Sequence, residues 1–195
     1  MRLFLALDIT AAIRNRISLF VEGVTGFAPD ARWTNPESLH ITLKFIGEQP
    51  EAALEPIKQS LSTMRASTTE IHFHNYGFFP TAKSPRVFWI GVEAGPQLAA
   101  LVATIEETLS SLGIPKEPRP FSPHLTLARA PGASGSPRRT KTESPNLTFH
   151  HLQEKLAARP TPDFGTMTPR EFFMYQSHLS PKGSKYTKLA AFDLK

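Results

Sequence analysis

Two short segments of this chain carry side chains suited to phosphorus chemistry. His40-Ile41-Thr42-Leu43 and His124-Leu125-Thr126-Leu127 each set a histidine two places before a threonine. On a strand, residues i and i+2 share a face, so each motif presents an imidazole and a hydroxyl together with apolar residues behind them. Imidazole takes or gives a proton near neutral pH. Two imidazoles on opposite sides of a phosphorus atom form an acid–base pair for in-line displacement. The threonine hydroxyls can donate to the non-bridging oxygens and offset charge in the transition state. The chemistry needs no metal, and the motif pattern lacks the carboxylates that a metallohydrolase site would usually show. One histidine on a strand is ordinarily a core or surface residue; two with matched threonines point to a site.

The elements that position them are written twice. Arg2-Leu3-Phe4-Leu5-Ala6 is answered 84 positions later by Arg86-Val87-Phe88-Trp89-Ile90, and the two histidine motifs are separated by the same 84. Residues 3–8 read as a buried strand. Ile13, Ile17, Phe20, Val21 and Val24 recur at helical spacing behind an N-cap at Thr10. The His40 strand follows, then a helix after Pro50 with Leu54, Ile57, Leu61 and Met64 on one face, then a strand over 70–79. The second half repeats the order. It has a strand at 86–92 and a helix marked by Leu98, Leu101, Val102, Ile105, Leu109 and Leu112 with Pro96 in its first turn. The His124 strand, a helix over 147–158 and a strand over 170–179 complete it, with Tyr175 answering Tyr76 at an offset of 99. The stretch 131–146 reads as a flexible inserted loop, and Tyr186 to Leu194 as a closing strand. The expected fold is α+β: two pseudo-symmetric lobes of antiparallel sheet, helices outside, and a central cleft carrying both motifs. The whole of 1–195 is expected to form one bilobal domain, with the repeat spanning approximately 1–80 and 86–180.

Composition narrows the class. The 195 residues contain no cysteine, which excludes disulfides, thiolate metal sites and a cysteine nucleophile, and fits a reducing cytoplasm. The apolar run Leu3 to Leu7 stops at Asp8, too short for a signal peptide, and no stretch is long enough to span a membrane. The formal charge of +5 and the pI of about 9.6 favour a phosphate-bearing or polyanionic ligand, although part of the charge (Arg138, Arg139, Lys141) sits in one loop.

The motifs and their settings resemble the 2′-5′ RNA ligase/RNA 2′,3′-cyclic phosphodiesterase family of the two-histidine (2H) phosphoesterases. The resemblance runs nearly end to end. It takes in Arg32-Trp33, Pro36 to Gly47, Gly77-Phe78-Phe79-Pro80, Pro85-Arg86-Val87, Arg119 to Arg129 and Tyr186-Thr187. It implies hydrolysis of a terminal RNA 2′,3′-cyclic phosphate to a 2′-phosphate, with weak 2′-5′ ligation as the reverse sense. It also implies His40 as proton donor, His124 as proton acceptor, and Thr42 and Thr126 as phosphate ligands; the near-symmetry of the motifs gives no independent reason for that division of roles. The implied partners are RNA ends bearing the cyclic phosphate, tRNA fragments and nucleotides among them. No cofactor, no metal and no membrane are implied, and the chain is expected to be a monomer.

Other residues are more open. Arg129 lies five places after His124, on the opposite face by simple alternation; only a strand end or a bulge would turn it toward the phosphate, as the resemblance suggests. Phe45 and Phe121 are candidates for stacking on a base, with a core role an equal alternative. His72 and His74 form a His-x-His pair, read as lacking the Asp, Glu or third histidine that a metal site would need, so a solvated strand face is the expectation. His150 and His151 are expected on the polar side of a helix, and the role of His178 is open. Two rival functions remain: a non-catalytic nucleotide or RNA-end binding module, and a metallohydrolase built on His72 and His74.

Overall fold

The structure, a computed structural model, describes residues 1–132, 146–180 and 183–195. Most of the expected inserted loop, residues 133–145, lies outside the described residues. The elements run β1 (Arg2–Asp8), α1 (Ala11–Glu22), β2 (Arg32–Trp33), β3 (His40–Glu48), α2 (Leu54–Ser62), β4 (Ile71–Pro80), β5 (Pro85–Ala94) and α3 (Pro96–Ser110). They continue with β6 (His124–Arg129), α4 (His150–Ala157), β7 (Asp163–Met167), β8 (Glu171–Ser180) and β9 (Gly183–Asp193).

The local signals act as their chemistry requires. The Thr10 hydroxyl accepts from the Ile13 amide and starts α1. Pro96 opens α3 where a missing N–H costs nothing. Ile13 and Ile17, Ile57 and Leu61, the α3 stripe from Leu98 to Leu109, and Leu152 and Leu156 are buried, each helix covering a sheet with its apolar side. Leu112 does not join that stripe: α3 ends at Ser110, and Leu112 lies in the following turn, 41% exposed.

All described strand pairs are antiparallel and form two sheets, ordered β3-β1-β8-β9 and β2-β6-β5-β4-β7. Under the 84-residue offset β1 matches β5 and β3 matches β6. The third strand of each set is exchanged. β4, from the first half, lies beside β5 in the second sheet; β8, from the second half, lies beside β1 in the first. The register corrects one expected correspondence. Tyr175 stands opposite Phe4, whereas Tyr76 stands opposite Ile90, which answers Ala6 under that offset, so the two tyrosines are not counterparts. β4 also inserts an extra residue, Asn75, against β5. Strands β2 and β7 had no distinct sequence signal, being two and five residues long.

Candidate active site

The two histidine strands lie nearest the join between the sheets, where β3 touches β6. In each, the histidine and threonine alternate with buried leucine or isoleucine: Ile41, Leu43, Leu125 and Leu127 are in the core, while His40, Thr42, His124 and Thr126 are half-buried. The ladders then slip by one residue in both strands. Leu5 pairs with Lys44 and Ala6 with Thr42, leaving Leu43 extra; Phe88 pairs with Ala128 and Trp89 with Thr126, leaving Leu127 extra. These bulges fall at equivalent positions, again 84 apart, and each switches which face the next residues take. Ala128 turns inward and is fully buried, so Arg129 returns to the face of His124 and Thr126. In the first strand Lys44 turns inward, 4% exposed, and Phe45 returns to the face of His40, 61% exposed and 6.2 Å from the Phe4 ring. Arg129 and Phe45 are therefore repeat-related, which simple alternation could not reveal. Buried Lys44 donates to Glu106 of α3 at 2.7 Å and to the Pro115 carbonyl at 2.9 Å.

Each imidazole is anchored in the same way. Nδ1 of His40 lies 2.7 Å from the Ser38 carbonyl, and Nδ1 of His124 lies 2.8 Å from the Ser122 carbonyl. A carbonyl only accepts, so Nδ1 carries the hydrogen in both rings and Nε2 is the nitrogen left for proton transfer. The rings are also walled by aromatics. Phe4 and Tyr186 lie 5.0 and 5.3 Å from the His40 ring; Phe79 and Trp89 lie 5.0 and 6.5 Å from the His124 ring. Trp89 lies so close over Gly77 that a Cβ there would come within 2.1 Å of the indole.

Electrostatics break the symmetry. Burial holds both imidazoles below their ordinary value of 6.5, against the anchoring bond to Ser38 or Ser122. Arg129 pushes both further down, and the charge of His124 bears on His40 as well. Among the described residues only His40 has an opposing carboxylate. Asp8 stands directly across the ladder from it and favours its protonated form. Tyr175 donates its hydroxyl to Asp8 Oδ1, and Lys188 donates to Oδ2 at 2.9 Å. Burial and the bond to Asp8 push the Tyr175 phenol up, so it stays a donor. Burial lowers the Arg129 guanidinium from its usual value, Tyr186 acts against this, and Arg32, opposite it on β2, adds to it.

The sequence reading missed Asp8, and it took the histidines to lack carboxylates nearby. The signal was present: Asp8 sits two places past Ala6 and four past Phe4, on the same strand face, and Gly91 stands opposite His124 where Asp8 stands opposite His40. A second correction concerns His72 and His74. Their expected isolation from acidic groups does not hold, because Glu93 of β5 and Asp163 of β7 lie against them. Phe121 packs in part against the core, while His150 and His151 are exposed and lie near Glu154. His178 is exposed on β8. No helix among the described residues is long and apolar enough to cross a membrane.

Comparison with known proteins agrees with this arrangement. The family model described as the 2′-5′ RNA ligase superfamily matches residues 15–157, which include both motifs. An RNA 2′,3′-cyclic phosphodiesterase from Archaeoglobus fulgidus is 34% identical over 193 residues, covering 99% of this chain and all of that protein. One of the same name from Methanocaldococcus jannaschii is 32% identical over 187 residues, covering 95% and 96%. The crystal structure of TT0787 from Thermus thermophilus superposes with a TM-score of 0.74 at 28% identity, covering 100% of this chain and 98% of that one. With paired motifs on matching bulged strands, a family model spanning both, and relatives alike over their whole length, this chain belongs to the 2′-5′ RNA ligase superfamily.

Proposed function

We propose that the chain opens terminal 2′,3′-cyclic phosphates of RNA to 2′-phosphates by metal-independent acid–base catalysis. Water attacks phosphorus from one side while the bond to the 3′ oxygen breaks on the other. His124 takes the water's proton at Nε2, and His40 delivers a proton from Nε2 to the departing 3′ oxygen. Thr42 and Thr126 donate to the non-bridging oxygens, and Arg129 neutralises charge that grows there in the transition state. Phe45, exposed beside Phe4 on the same face, supplies a stacking surface for the terminal base, with Phe121 a second candidate. When the 5′ hydroxyl of a second RNA end attacks in place of water, the P–O5′ bond forms as the bond to the 3′ oxygen breaks, which gives weak 2′-5′ ligation.

One observation carries the division of roles: Asp8 lies across from His40, and the residue across from His124 is Gly91. A carboxylate stabilises imidazolium, so His40 is the group suited to begin charged, and His124, with no such carboxylate among the described residues, begins neutral. One chain contributes both histidines, so a monomer is complete. The lack of cysteine fits action in the cytoplasm on RNA ends such as tRNA fragments. The test is an RNA ending in a 2′,3′-cyclic phosphate, incubated with and without chelator. A 2′-phosphate formed equally in both is expected. A 3′-phosphate, no turnover, or loss of activity in chelator overturns the reading.

A further inference from the structure

Ile71 and Phe73 of β4 are fully buried, which turns His72 and His74 to the other face of the second sheet. The two imidazoles stack with centroids 4.3 Å apart. Glu93 stands opposite His72 on β5, and its Oε2 accepts from His74 Nε2 at 2.7 Å. One ligand atom from each of His72, His74 and Glu93 lies within 4.8 Å of the others. On the far side Asp163 of β7 accepts from His72 Nε2 at 3.0 Å through Oδ2, while its Oδ1 accepts from the Gly165 amide at 2.8 Å and fixes the carboxylate. Three neighbouring strands thus bring two imidazoles and two carboxylates to one place, although the sequence separates them by up to 91 residues.

We propose that His72, His74 and Glu93 form a binding site for a divalent first-row transition ion, with Zn²⁺ the representative case. Two imidazoles and one carboxylate are a donor set that suits zinc, with water completing the coordination. Bonds of about 2.0–2.1 Å require tetrahedral donors about 3.3 Å apart, so closing the gap takes side-chain rotation with no movement of the strands. Asp163 orients His72 from behind, as carboxylates commonly do for ligating histidines. The site lies along the same face as the catalytic pair: His74 stands opposite Gly91, and Gly91 stands opposite His124. The two backbones are thus two strand spacings apart, about 10 Å, with Gly91 between them. Gly91 is required there, because a Cβ would meet the His74 carbonyl oxygen at 2.5 Å. The inference does not depend on the reaction proposed above.

The experiment titrates ZnCl₂ against a chromophoric zinc chelator for the wild-type chain and for three variants: His72→Ala/His74→Ala, Glu93→Gln and His40→Ala/His124→Ala. One site is expected in the wild type and in the His40→Ala/His124→Ala chain. Affinity is expected to fall about a hundredfold in the His72→Ala/His74→Ala chain and about tenfold in Glu93→Gln. In the wild type, imidazole NMR signals of His72 and His74 move on zinc addition and those of His40 and His124 stay, a readout that needs no variant to fold. Millimolar binding only, affinity unchanged without His72 and His74, or zinc moving the His40 and His124 signals instead would overturn the proposal.

Discussion

Asp8→Asn tests why two nearly identical motifs would play different parts. Asparagine keeps an oxygen for the Tyr175 hydroxyl and removes the charge facing His40, together with the acceptor of Lys188. Residues directly opposite on antiparallel strands place their side-chain ends about 6 Å apart. At an effective dielectric near 20, two unit charges at about 6 Å interact by ~2.8 kcal/mol. The Asp8 side chain is 35% exposed and already bonded to Lys188 and Tyr175, so water and those partners leave about a third to a half of this. The remainder, about 1–1.4 kcal/mol, no longer favours charged His40, so the imidazole gives up its proton about five- to tenfold more readily. A proton donor must be charged to act, so the alkaline limb of the pH–rate profile moves down by that amount while the acid limb stays nearly in place. Histidine NMR titration of the same variant reads the shift directly: His40 falls and His124 changes far less. The reasoning is refuted if activity drops equally at every pH with both imidazoles titrating as before, or if the acid limb is the one that moves.

Replacing the 3′ leaving oxygen by sulfur, which needs little protonation, should restore much of the turnover of His40→Ala and little of that of His124→Ala; the opposite pattern exchanges their roles. On the natural substrate each of these variants should lose at least ~10²-fold in turnover, and Thr42→Ala or Thr126→Ala less, since each removes one hydrogen bond worth about 1.5–3 kcal/mol. Glu106→Gln should lower stability by about 3–5 kcal/mol in denaturant unfolding by leaving Lys44 charged in the interior, and Lys44→Met/Glu106→Leu should recover most of that loss. Both site histidines bind a proton less readily folded than unfolded. Stability is therefore full above the unfolded value of 6.5 and declines as pH falls through it toward the lower folded values. Unfolding of His40→Ala/His124→Ala between pH 7 and 5 should show a shallower decline.

The sequence disclosed what depends on neighbours a few positions apart. Helix α1 with its Thr10 cap, the α3 stripe and the two histidine strands follow from spacings of two to four residues, and the 84-residue offset joined them into a repeat. What stayed hidden depends on pairing between distant strands. Asp8 meets Tyr175 and Lys188 across more than 160 positions, and Glu93 and Asp163 reach the His72–His74 pair from other strands. Arg129 was legible as a candidate and not as a neighbour of His124, because one extra residue in the ladder reverses the alternation on which such readings depend. The exchange of β4 and β8 left no local trace, since a strand's composition records that it is buried and not which sheet buries it.

That exchange bears on how the cleft can move. The chain enters the second sheet for β2, returns for β3, crosses again before β4 and comes back between β7 and β8 through only three residues, 168–170. Each sheet thus keeps a strand of the other half laced into its backbone ladder, and β3 already touches β6 at the seam. Separating the two sheets would have to stretch these crossings, the three-residue one first. The spacing of the two imidazoles thus depends on the segments that cross the seam as well as on either sheet.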